Sequence, residues 1–138
     1  MHILSLPPKQ RHSAGLEHIA FTFPTLTALL TSYRQRLEYG IKPVWCVNHG
    51  PTTSLYYKDV DGNALETQYD NFGDDVIAAT EVMKDPDFEQ NPLGVDFDPE
   101  EMWKKLQDVG ENALAVEVQK RGSVGPRGFE SIPEGYRV

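Results

Sequence analysis

Two runs of alternating residues, TTSLYYK at 52–58 and ALETQYD at 64–70, flank the five residues DVDGN. Asp61-Gly62 accepts the positive φ of a tight reversal, so the runs are expected to lie side by side as an antiparallel hairpin. Strand side chains alternate between faces. Ser54, Tyr56 and Lys58 therefore share one face, and Leu55 and Tyr57 the other. Ala64, Glu66 and Gln68 likewise oppose Leu65, Thr67 and Tyr69. A carboxylate, Glu66, thus stands on a strand among small and apolar neighbours.

Upstream, LEHIAFTF at 16–23 has strand character, with Ile19, Phe21 and Phe23 on one face and Leu16, His18, Ala20 and Thr22 on the other. Leu26, Leu29, Leu30, Tyr33 and Leu37 then form the stripe of an amphipathic helix, with Thr25 as N-cap and Gly40 as the stop. KPVWCVN at 42–48 is the next strand. The order is strand, helix, strand, strand, strand. The helix is expected to cover Ile19, Phe21, Leu55, Tyr57 and Leu65, which leaves His18, Tyr56 and Glu66 on the opposite face.

The fold class is α+β: one βαβββ module with a mixed sheet at 16–72, and a helical extension and tail at 73–138. A short helix is expected near 74–83 and another over 99–108, the latter with Asp98 as N-cap, Pro99 in the first turn and Glu101 at the capping-box position. The Gly- and Pro-rich stretch 122–138 reads as an extended or partly disordered tail. At the start, 2–6 reads as a short strand and 7–15 as a linker, together the remnant of a preceding module.

Length and charge exclude several classes. The chain has 138 residues, the size of one domain. Its net charge of -8 repels phosphate backbones, so nucleic acid is not an expected partner. No apolar run spans a bilayer, and MHILSLPPKQRH lacks the form of a signal peptide. The single cysteine, Cys46, excludes an internal disulfide and fits a reducing, cytoplasmic setting. It reads as a buried apolar residue, with a nucleophile as the other option.

A histidine and a carboxylate on one sheet face are borderline-to-hard ligands for a divalent metal. By spacing alone, His18 reads more readily as a satisfied structural histidine, and Glu66 as a solvent-facing carboxylate, than as metal ligands. GLEHIAF followed by a helix and then HGPTTSLYYKDVDGNALE resembles the vicinal oxygen chelate superfamily of glyoxalases, bleomycin-resistance proteins and extradiol dioxygenases, most closely its dioxygenase-like branch. The resemblance implies the βαβββ module, metal ligation by His18 and Glu66, and a tyrosine beside the substrate, Tyr56, ten residues before the glutamate. It implies an acid-base role for His49. It further implies Fe(II), with Mn, Zn or Ni as other choices, and a catechol-like small-molecule substrate.

Family members pair two modules around the metal, and the extradiol set is two histidines and one glutamate. This chain carries one module, and His2 and His12 match no ligand position. A homodimer would supply the second sheet and bring His18 and Glu66 of both chains to one ion. The alternatives are a glyoxalase-type lyase or isomerase that needs no O2, and a non-catalytic binding module. Trp45 reads as core or pocket wall, Trp103 as the apolar face of its helix, Lys58 as an edge residue, and the acidic run 85–101 as a solvated face.

Overall fold

The structure is a computed structural model that describes residues 18–137, with His18 and Arg137 described by their backbone alone. The expected strand at 2–6, the linker at 7–15, His2 and His12 lie outside the described residues. The chain runs β1 (His18–Phe23), α1 (Leu26–Glu38), β2 (Trp45–Asn48), β3 (Thr52–Lys58) and β4 (Ala64–Asp70). The α+β module expected over this stretch is present. Five strands form one open sheet in the order β1-β4-β3-β2-β5, where β5 is Val95–Asp96. β1 pairs β4 in parallel, and the other pairs are antiparallel.

β3 and β4 begin and end where alternation places them, and Gly62 turns the hairpin at φ +83. β2 is shorter than expected and starts at Trp45. Pro43 has no N–H for a ladder, so regular pairing begins after it, with Val44 N–H donating to the Tyr56 carbonyl at 2.7 Å.

Helix α1 is capped twice. Thr25 Oγ1 accepts from the Ala28 amide at 3.0 Å, as its position predicts. The Glu111 carboxylate accepts from the Leu26 and Thr27 amides at 3.0 and 2.7 Å, a negative charge on the positive end of the helix. Leu26, Leu29, Leu30 and Tyr33 of α1 are buried against Cys46, Leu55 and Tyr57 of the sheet. Each such leucine contributes about 1.5–3 kcal/mol by leaving water. Phe23, Leu65 and Tyr69 pack on this core, whereas Ile19 and Phe21 of the edge strand are only half-buried.

Four helices follow: α2 (Val76–Met83), α3 (Pro86–Gln90), α4 (Pro99–Val109) and α5 (Glu111–Val118). α4 starts on Asp98, whose side chain accepts from the Glu100 amide at 2.9 Å. Leu106, Leu114 and Val118 enter the α1 core, with Met102 and Trp103 packed beside them. No helix among the described residues is long and apolar enough to cross a membrane. The acidic run is largely structural: Asp85 and Asp98 are caps, and Asp96 pairs with Arg127.

The tail departs from its expected extended form. Phe129–Ser131 makes a 3-10 turn and Glu134–Arg137 a last short helix, α6. Ile132 and Tyr136 pack on Trp45, Val47 and Tyr56, on the sheet face opposite α1. That face, read from sequence as waiting for a partner sheet, is thus partly covered by its own chain.

Cys46 lies on the α1 side, and burial, reinforced by Asp96 and Asp98, pushes its thiol up to about 12. A thiol reacts as its thiolate, which is scarce at neutral pH under such a shift. Native protein should therefore react with a disulfide reagent at pH 8 at least about tenfold slower than protein unfolded in urea. Rapid native labelling would show Cys46 to be accessible and activated.

Candidate functional site

One rung of the sheet carries the site. Trp45 of β2 is in register with Tyr56 of β3, Tyr56 with Glu66 of β4, and Glu66 with Ala20 of β1. Residues in register share a face, so the parity expected for Tyr56 and Glu66 holds. The adjacent rung runs Lys58, Ala64, His18. His18 and Glu66 are therefore diagonal positions on neighbouring parallel strands.

Glu66 is 5% exposed and Tyr56 4%. A carboxylate this deep needs partners. Tyr56 supplies one, since its phenol hydrogen-bonds Glu66. Burial first, then the charges of Glu66 and Tyr136, raise the Tyr56 phenol far above its ordinary range, so it keeps its proton. Its oxygen also lies 2.7 Å from His49 Nε2.

The histidine is held from behind. Its Nδ1 hydrogen-bonds the Leu93 carbonyl, which can only accept, so Nδ1 carries a hydrogen. In the neutral ring Nε2 then accepts the Tyr56 O–H. When Nε2 is also protonated it donates to Tyr56, and the Tyr56 proton turns to Glu66. The single Tyr56 proton thus turns to whichever neighbour can accept it, and a proton would cross between His49 and Glu66 only by transfer through the phenol oxygen.

The loop that carries His49 is fixed by buried amides. Asn71 is 2% exposed, and its Nδ2 donates to the Gly50 carbonyl at 2.8 Å and to Asn48 Oδ1 at 3.2 Å. Asn48 Oδ1 accepts from the Gly50 amide at 2.8 Å. On the other side Gly94, at φ +124, presses against the strand: a Cβ there would stand 2.2 Å from the Asn48 carbonyl oxygen. Only glycine lets the Leu93 carbonyl come so close to His49.

Trp45 stacks on Tyr56 with ring centroids 5.1 Å apart at 21°. It is both core and site wall, which joins the two sequence readings. Its indole N–H donates to Asp96 Oδ1 at 2.8 Å. Alternation reveals the Tyr56–Glu66 pair, but it shows neither this tryptophan's stacking nor Tyr136, whose contacts span the length of the chain.

Among the described residues no group of three His, Cys, Asp or Glu is arranged to hold a metal ion. Glu66 and the His18 position offer two donors of the right chemistry for Fe(II), Mn, Zn or Ni. They would supply part of a ligand set.

No protein-family model matches the chain, and no solved structure matches it. Two curated proteins of Rhodococcus globerulus do. Biphenyl-2,3-diol 1,2-dioxygenase 2 is 46% identical over 95 residues, 69% of this chain and 50% of that protein. Biphenyl-2,3-diol 1,2-dioxygenase 3 is 44% identical over 94 residues, 68% of this chain and 49% of that protein. Similarity of this degree over so many residues marks common descent, and it agrees with the resemblance carried by HGPTTSLYYKDVDGNALE. The chain is a homologue of two biphenyl-2,3-diol 1,2-dioxygenases and spans about half the length of these curated relatives.

Proposed function

We propose that the chain forms the metal-binding half of a dioxygenase that acts on a catechol-like vicinal diol. The observation that carries this reading is the buried Glu66, bonded to Tyr56, which in turn lies 2.7 Å from His49 Nε2, one rung from His18. His18 and Glu66 would hold the metal, Fe(II) by the family resemblance of the sequence. When bound, such a metal supplies Lewis-acid and redox chemistry toward the two oxygens of a diol. Tyr56 hydrogen-bonds a substrate oxygen. His49 takes the proton that a diol loses, being the side chain whose ordinary pKa lies nearest neutrality. Trp45 and Tyr56, stacked on one another and nearly fully buried, exclude water on one side. The remaining ligands come from a second sheet, for which a homodimer is the simplest source. The buried, unpaired Cys46 suits a cytoplasmic protein.

The test is elemental analysis of purified protein, its solution mass, and oxygen uptake with catechol. Bound Fe, Mn, Zn or Ni and a ring-cleaved product formed only in air are expected. A metal-free protein that binds no catechol would sink this reading. Turnover that continues without oxygen would move it to the glyoxalase type.

A further inference from the structure

We propose that Tyr136, carried by a C-terminal strap clamped to the sheet by Arg127, is the wall that selects flat aromatic substituents on the substrate. This inference rests on the diol-oxidising reading above.

The strap is a built device. Arg127 Nε donates to Ser131 Oγ at 2.7 Å, and its terminal nitrogens donate to Asp96 Oδ1 and Oδ2 at 2.7 and 3.0 Å. They also donate to the Gly94 carbonyl at 3.0 Å and the Ser131 carbonyl at 3.2 Å. Five hydrogen bonds match the five donors of a guanidinium. The side chain is 10% exposed, although the chain around it is loop. A bidentate pair of this kind fixes orientation as well as position. Its carboxylate, Asp96, is the same group that receives the Trp45 indole N–H. One clamp therefore sets both the strap and the tryptophan of the site.

The strap delivers Tyr136 onto the site rung. Its ring lies 4.9 Å from that of Tyr56 at 70° and 5.2 Å from that of Trp45 at 56°. Lys58 Nζ stands 5.3 Å from the same ring, a cation on its face. Tyr136 thus closes the Trp45–Tyr56 end of the rung. Toward the other end the rung passes Glu66 to Ala20, a methyl side chain that is exposed. A diol held beside Glu66 lies between an aromatic wall and this low side. A flat ring attached to it gains edge or face contact with Tyr136, whereas a puckered saturated ring of similar bulk does not.

The test compares kcat/KM for 3-phenylcatechol and 3-cyclohexylcatechol in the metal-loaded full chain. Wild type is expected to favour the phenyl compound. Tyr136→Leu should shrink that preference about three- to tenfold, the loss falling in KM, while Tyr136→Phe keeps it. Arg127→Ala, which keeps the tyrosine in the chain but frees the strap that positions it, should shift the preference in the same direction. Circular dichroism confirms that each variant is folded. If wild type oxidises catechols yet Tyr136→Leu keeps the full preference, the wall is refuted and the dioxygenase reading stands. If wild type neither binds nor oxidises either compound, the dioxygenase reading fails, and the wall with it.

Discussion

Replacing Glu66 with glutamine is expected to empty the metal site and lower turnover by at least about 100-fold, the upper end of what losing a mere supporting residue costs a metal centre. The two side chains have nearly the same volume, so the rung keeps its packing. The change removes the negative charge that a divalent ion needs. Glu66 is 5% exposed, and a glutamine oxygen there can still accept the Tyr56 O–H. The metal-free variant should therefore melt no lower than metal-free wild type. Elemental analysis, steady-state rates and thermal melts of both proteins separate these effects. Unchanged metal content in the variant would remove Glu66 from the ligand set. A much lower melting temperature would make it a structural residue.

Much of the fold was readable because it obeys short periods. The hairpin needs only Asp61-Gly62 and two alternating runs, and β3 and β4 have the expected bounds. α1 needs a stripe and a cap, and Thr25 caps it. What escaped has no period. β5 is two residues long, too short to alternate, and exists because Gly94 lets the backbone close on β2. Glu111 caps a helix that begins 85 residues earlier. The tail reads as Gly- and Pro-rich chain, yet Arg127 finds Asp96, and Ile132 and Tyr136 find the sheet. The site divides the same way. Parity brings Tyr56 and Glu66 to one rung, because register is local along a hairpin. The contact of His49 with Tyr56 depends on a loop held by Asn71 and by the Leu93 carbonyl, which no spacing rule encodes.

That contact defines the second large effect. Tyr56→Phe should lower kcat by about 10²- to 10³-fold, the range for losing a positioned proton-transfer group. The metal should stay, since Glu66 and His18 are untouched. Phenylalanine keeps the ring that stacks on Trp45 at 5.1 Å, so the wall survives and KM should move less than kcat. What disappears is the hydroxyl between His49 Nε2 and Glu66. Without it the histidine has no bridge to the carboxylate, and a proton released by substrate has no short path to the imidazole. The contrast with Glu66→Gln is the decisive comparison: one variant should be inactive for want of metal, the other inactive with metal bound. If Tyr56→Phe also loses its metal, the phenol serves chiefly to orient Glu66, and the proton path is wrong. If it keeps both metal and full activity, His49 works without Tyr56, and the 2.7 Å contact only anchors the loop.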